Sequence, residues 1–343
     1  TLSSSSAASD VYKRQVIREN KVTKTVKIGE FIDDLMRTRS SKVRRESDTE
    51  VLDVSHLDLE AVAFDPENLK LAFRKISNIV RHRTSAPLYR LKLETGRGVA
   101  VTGSHSVYVL DGLNIATKRA SEINVGDVVL IPKRLPLNPS KEIEINLVRE
   151  LNGLKKAEDL FIKNIPITFF ESPSFKNLET RDYDKKNWKR RRELPLTAAV
   201  KLGLDEKLNE IHGIFSYVGS RHKVPIEISI NHELLRLIGY YIAEGSMDED
   251  NYRVSFSLNS EETEYVQDIC KCVEKLFHFG PCIDKRRNVT YMDICDKIVY
   301  LLFSKVLNLP RGAKRKHIPP IVFNVRRELQ REFLKAMVRG DGV

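Results

Sequence analysis

One arrangement of residues occurs twice in this chain, 97 residues apart, and it restricts the possible folds more than any other feature. In the first copy, Asn231 stands where a helix N-cap is favoured, ahead of the apolar run from Glu233 to Ala243, and the helix is expected to stop at Gly245. Gly239 and Ala243 are four apart, so they leave one helix face without bulk, and Glu244 stands at the end of that face. In the second copy, 333–342, Ala336 and Gly340 are four apart and Asp341 takes the place of Glu244. A single such helix would read as a buried helix with a terminal acid. Two of them, packed through their small faces, would bring Glu244 and Asp341 together, where paired carboxylates can hold a divalent metal. Magnesium between these acids and phosphate oxygens can activate water for phosphodiester hydrolysis.

Between the copies the pattern predicts a strand over 253–258, a helix over 261–277, a hairpin around Arg286-Arg287-Asn288 and a helix over 296–306. The two motifs, LIGYYIAEG and LKAMVRGDG, resemble the LAGLIDADG (DOD-type) motifs of the homing endonucleases embedded in inteins. The resemblance implies an α/β domain built on an αββαββα repeat, with residues 231–343 holding the first repeat and the start of the second. It also implies a sheet lying in the major groove of a double-stranded DNA target, with Mg2+ held by Glu244 and Asp341. Lys316, in Lys316-His317-Ile318-Pro319, resembles the family's active-site lysine, which would polarise phosphate or water; the alternative is a simple phosphate contact. Arg253, Arg286 and Arg287 are expected DNA contacts.

The earlier part of the chain follows a different period. From Leu88 to Leu110, Tyr89, Leu91 and Leu93 alternate with Arg90, Lys92 and Glu94, the signature of a half-buried hairpin. Gly96-Arg97-Gly98 supplies its turn, with positive φ expected at both glycines. The second strand leads into Thr102-Gly103-Ser104-His105, where a hydroxyl and an imidazole three residues apart can converge on one backbone amide. A lone strand histidine would otherwise be structural. Further on, 123–132 reads as a tight turn at Gly126-Asp127 into an apolar strand. T-x-x-H followed by V-G-D-x-V resembles the N-terminal part of the Hint fold of inteins and hedgehog-type autoprocessing domains, over residues 16–139; 28–35 resembles the stretch after an intein's first block. The resemblance implies an all-β, horseshoe-shaped domain in which Thr102 and His105 strain and protonate the scissile amide, without a cofactor, while an adjacent Cys or Ser makes the acyl shift. That nucleophile is not found: no Cys precedes residue 270.

Residues 1–15 share no periodicity with the rest of the chain. Within them SSAASDVYKRQ, residues 5–15, resembles the translation of a sequencing adapter, so a non-native start and a cut at both ends are expected; a disordered tail is the alternative. Residues 140–230 are expected to be a linker or a DNA-contacting insert. They hold the densest part of a formal charge of +11: Lys185, Lys186, Lys189, Arg190, Arg191 and Arg192, with Trp188 among them to stack or wedge. A solvated face is the plain reading of such a run. Cys270, Cys272, Cys282 and Cys295 are read as buried thiols, because two cysteines two apart on a helix face different ways.

The combined expectation is a multidomain intein fragment, monomeric and cytoplasmic, with no membrane segment. Its intact parent would splice itself out of flanking host segments (exteins) and cut a long DNA site, while the fragment itself is expected to do neither. The competing readings are a LAGLIDADG-type DNA-binding regulator without cleavage, and a Hint autoprocessing domain with a decayed nuclease.

Overall fold

The computed structural model describes residues 14–82, 85–139, 144–204, 213–216 and 222–340. It divides into two compact units, residues 1–138 and 139–343. Among the described residues no helix is long and apolar enough to cross a membrane.

The first unit is mostly β. Arg14–Glu19 and Val22–Lys27 form a hairpin whose turn residues, Asn20 and Lys21, both take positive φ, as a two-residue turn with the twist of its strands demands. Arg14 and Gln15 pair with Lys27 and Val26, so regular structure reaches two residues into the segment read as foreign. Ladder hydrogen bonds come from the backbone and require no apolar periodicity, which is why the pattern did not reveal them. Arg14–Glu19 also pairs with Leu59–Asp65, which pairs with Lys70–Lys75. The Ile28–Thr38 helix buries Leu35 and Met36 against Leu52, Val54, Leu59 and Ile79 in a small core. Leu88–Lys92 and Gly98–Thr102 form the expected hairpin. Only Gly96 has the positive φ expected of both turn glycines. Gly98 is needed for space instead, since a Cβ there would sit 3.1 Å from the Leu91 carbonyl oxygen. Ser106–Asp111 then pairs on one side with Asn114–Arg119 and on the other with Val128–Val129.

The second unit is built around one large core. Residues expected as a linker or insert contribute to it: Leu147, Leu151, Leu160 and Ile162 belong to the same buried cluster as Leu234, Tyr240 and Phe303. Leu160–Lys163 forms a sheet with Glu193–Pro195 and Gly213–Ser216, and Lys297, only 6% exposed, pairs with Asp159. Over its described residues this stretch packs into the core of the second unit.

From His232 the order is helix His232–Glu244, strands Gly245–Asp248 and Arg253–Asn259, helix Thr263–Phe277, strands Cys282–Arg286 and Val289–Cys295, and helix Lys297–Leu301 running on as one π-helical turn, Leu302–Val306. The strand Gly245–Asp248, immediately after the first helix, was not foreseen. Asn231 caps that helix, accepting from the Leu234 amide at 3.0 Å. The four strands form one sheet with Arg253–Asn259 and Val289–Cys295 at its centre. Val254, Phe256, Leu258, Met292 and Ile294 are buried on one face, while Arg253, Ser255, Ser257, Tyr291 and Asp293 alternate onto the other. The reading of four buried thiols is corrected: Cys272 is buried and its thiol pushed up to about 12 by burial, Cys270 is partly buried, and Cys282 and Cys295 are exposed. The last two lie on the polar face of the sheet, in register with Asp293 and Arg253.

Candidate functional site

In the first unit, Thr102 closes its strand opposite Leu88 and is only 4% exposed. Its Oγ1 and the Nδ1 of His105 are both buried without a hydrogen-bond partner among the described residues. Leaving a buried polar atom unpaired costs about 1–3 kcal/mol, so two within four residues are available to accept from or donate to a polar group that reaches this turn. The His105 amide donates to the Thr102 carbonyl at 3.0 Å, closing the turn that carries both side chains. Burial pushes the His105 imidazole below its ordinary pKa and favours the neutral ring. The Gly126-Asp127 turn is ordered by Asp127, whose carboxylate accepts from the Asn124 amide at 2.9 Å and from Lys118 Nζ at 3.0 Å. These two bonds hold the Asp127 carboxyl below the usual carboxylate range. Gly126 supplies the positive φ of that turn, +101°.

In the second unit, the helices His232–Glu244 and Arg327–Gly340 meet through their small residues. A Cβ on Gly239 would lie 2.4 Å from the Phe333 carbonyl oxygen and 2.9 Å from the Ala336 Cβ; one on Gly340 would lie 2.5 Å from the Ala243 Cβ and 3.3 Å from Glu244 Cγ. Glu244, partly buried, therefore ends its helix beside Gly340. Asp341 lies outside the described residues. Lys316 reaches the same helix end: its Nζ donates to the Ala243 carbonyl at 2.8 Å and stands 5.9 Å from the Tyr241 ring centre. A cation there suits the carbonyl end of a helix.

Sequence reasoning missed the hub that ties this helix pair to the helix Thr263–Phe277. Asp268 pairs with Arg236 at 2.9 Å, accepts from the Tyr240 hydroxyl at 3.0 Å and lies 3.9 Å from Arg339. Burial raises the Tyr240 phenol, keeping it a donor to that carboxylate. Asp268 lies on a different helix from its three partners, so no spacing in the chain could have announced the contact.

The basic run falls mostly on the helix Asp182–Arg191. Trp188 packs against the core rather than standing free to wedge. Lys185 Nζ donates to the Lys176 carbonyl at 2.7 Å, Lys189 lies 3.5 Å from Glu171, and Arg191 lies 3.5 Å from Glu193. Arg192, in the left-handed region with φ of 54°, donates to the Ile165 carbonyl at 3.2 Å. Lys186 and Arg190 are exposed. Arg253 lies between Asp248 at 3.3 Å and Asp293 at 3.5 Å, Arg286 pairs with Asp284 and stands over the Tyr291 ring, and Arg287 occupies the hairpin turn.

Residues 16–309 match the family model of the intein splicing domain. The chain is similar to a DNA polymerase of Thermococcus kodakarensis, with 26% identity over 92% of this chain and 22% of that protein. It is also similar to the DNA polymerase II large subunit of the same organism, with 31% identity over 83% of this chain and 16% of that protein. It thus spans about a fifth of the length of these curated relatives. Among solved structures, it is similar to the transcription factor IIB Mvu mini-intein, with 34% identity, 37% of this chain and 70% of that chain covered, and a TM-score of 0.35. The chain belongs to the intein splicing domain family, whose splicing is autocatalytic.

Proposed function

We propose that Thr102 and His105 act on the peptide bond joining an upstream host segment to the intein. The two unpartnered buried atoms, Thr102 Oγ1 and His105 Nδ1, carry this reading. An incoming amide would satisfy both. A Cys or Ser at the junction attacks the preceding carbonyl, a C–S or C–O bond forms as the C–N bond breaks, and the nucleophile's proton passes by way of the neutral imidazole to the departing nitrogen. Relatives named DNA polymerase, far longer than this chain, support flanking host protein as the substrate. The test is a precursor with its natural flanks: His105→Ala should accumulate unspliced. Unchanged splicing in that variant would refute the assignment.

In the second unit we infer a LAGLIDADG-type endonuclease, supported by the close packing of Gly239 on Ala336 and of Gly340 on Ala243, which sets Glu244 at the helix ends with Lys316 beside it. Among the described residues no three His, Cys, Asp or Glu side chains cluster as a metal cage. Magnesium needs only one or two carboxylates, with water and phosphate completing its shell, so the oxygen donors of Glu244 and Asp341 fit it. Bound there, it would supply charge neutralisation at the scissile phosphate. Lys316 would hold a phosphate oxygen, and the polar face bearing Arg253, Ser255, Ser257 and Tyr291 offers donors and acceptors suited to base edges. The protein carrying this unit should linearise a plasmid with the uninterrupted host gene in magnesium and lose this in Glu244→Gln. Binding without any cut would favour the regulator reading.

A further inference from the structure

The turn that carries Thr102 and His105 is gripped from two sides by residues with no assigned role. On one side is the short 3-10 turn Ala120–Glu122. Its Ala120 amide donates to the His105 carbonyl at 2.8 Å and its Ser121 amide donates to the Gly103 carbonyl at 3.1 Å. That 3-10 turn is itself closed by Glu122, whose carboxylate accepts from the Arg119 amide at 3.2 Å. On the other side the Tyr89 ring lies against Gly103. A Cβ on Gly103 would sit 2.9 Å from Tyr89 Cε2 and 3.3 Å from the Ser121 Cβ, so the glycine fills the gap between ring and turn. Tyr89 comes from the strand Leu88–Lys92, and its neighbour Leu88 stands opposite Thr102.

We propose that Tyr89 and Glu122 are positioning residues for His105: the tyrosine ring presses on Gly103 while the Glu122-closed turn holds the carbonyls of Gly103 and His105, and together they fix where the imidazole points. The proposal rests on reading His105 as the group that meets the scissile amide. Two backbone bonds and one ring contact converge on a four-residue turn, which leaves it little room to rotate. A catalytic group displaced by about 1 Å loses on the order of 10²-fold in rate, so such a clamp has a chemical consequence.

The experiment is a histidine titration by NMR on the full chain, with the imidazole ring carbons labelled, in Tyr89→Ala, Tyr89→Phe, Gly103→Ala and Glu122→Gln. In Tyr89→Ala and Gly103→Ala the His105 midpoint should rise toward the ordinary imidazole value as the ring gains access to water. Glu122→Gln should move it less, in the same direction, and Tyr89→Phe should restore the native midpoint. The other histidines, unmoved, report that the chain stays folded. If Tyr89→Ala disturbs them, Gly103→Ala and the milder Glu122→Gln decide. A His105 midpoint unchanged in every folded variant, or Tyr89→Phe shifting it as far as Tyr89→Ala, overturns the proposal. Failure of the splicing reading would show elsewhere, as normal splicing in His105→Ala with the Tyr89-dependent titration intact.

Discussion

Gly239 of one helix lies against Ala336 of another, so tightly that a methyl group on Gly239 would stand 2.4 Å from the Phe333 carbonyl oxygen. The relation is reciprocal one turn further on, where Gly340 faces Ala243. Each helix offers its smallest residue to the partner's small residue, and the backbones approach because neither side chain intervenes.

Gly239→Ala tests that approach. Alanine favours a helix over glycine by about 1 kcal/mol, so an unconstrained site would be stabilised. Here the methyl has no room, and forcing the helices apart should cost about 1–3 kcal/mol. Thermal denaturation of the second unit should show Tm falling by ~2–4 °C per kcal/mol. A rise in Tm would contradict the packing.

Removing the Asp268 carboxylate should be more damaging than its single position suggests. Asp268→Ala leaves Arg236 without its 2.9 Å partner and the Tyr240 hydroxyl without its acceptor. We expect a loss of about 2–3 kcal/mol, with Asp268→Asn retaining part of it through the Tyr240 bond. Urea denaturation of the two variants, compared at one pH, would show whether that ranking holds.

The His105 environment makes stability depend on pH in a definite direction. Burial lowers the native pKa, so between that value and the ordinary value of about 6.5 the unfolded chain binds more protons than the folded one. The contribution is complete above the unfolded value and is lost as pH falls through the native value. His105→Gln should flatten this part of the profile. Urea midpoints for the first unit's transition, taken from pH 5 to 8, would expose the error if the variant kept the native slope.

Lys316→Met keeps most of the unbranched side chain and removes its charge. Loss of the 2.8 Å bond to the Ala243 carbonyl should cost about 1 kcal/mol of stability, whereas on the endonuclease reading DNA cleavage should fall far more. Equal, small effects on both would leave Lys316 a helix cap alone.

On the endonuclease reading, affinity for DNA should also report how many basic groups reach phosphate. Engaging 6–10 phosphates would make affinity fall about 10³–10⁵-fold between 50 and 200 mM salt. Several candidates already have partners, Arg253 on Asp248 and Asp293 and Arg191 on Glu193, so charge-swapping Lys186 and Arg190 should lower the slope more than altering Arg191. Equal slopes would argue against a DNA contact at that helix.

The chain's own pattern announced the two small-faced helices, the Asn231 cap, the Leu88–Thr102 hairpin and the Thr102 to His105 spacing, because each depends on residues within a few positions of one another. Periodicity and turn chemistry are local, so they survive in a bare sequence. The middle stretch was not legible in the same way. Leu147, Leu160 and Ile162 carry too little regular spacing to declare a core, and they become one only against Leu234 and Phe303. Trp188 looked like a free aromatic among cations, yet its surroundings are set by residues far away in the chain.

What the sequence alone determined here is which elements form and which side chains are chemically able to act. The tertiary structure decided their surroundings: Gly103 beneath the Tyr89 ring, His105 buried enough to favour its neutral form, Lys316 on a carbonyl 73 residues away, and Asp268 gathering Arg236, Tyr240 and Arg339. Burial and long-range pairing depend on which distant segments share a core, and that choice is made by the packing of the whole unit rather than by any short stretch of it.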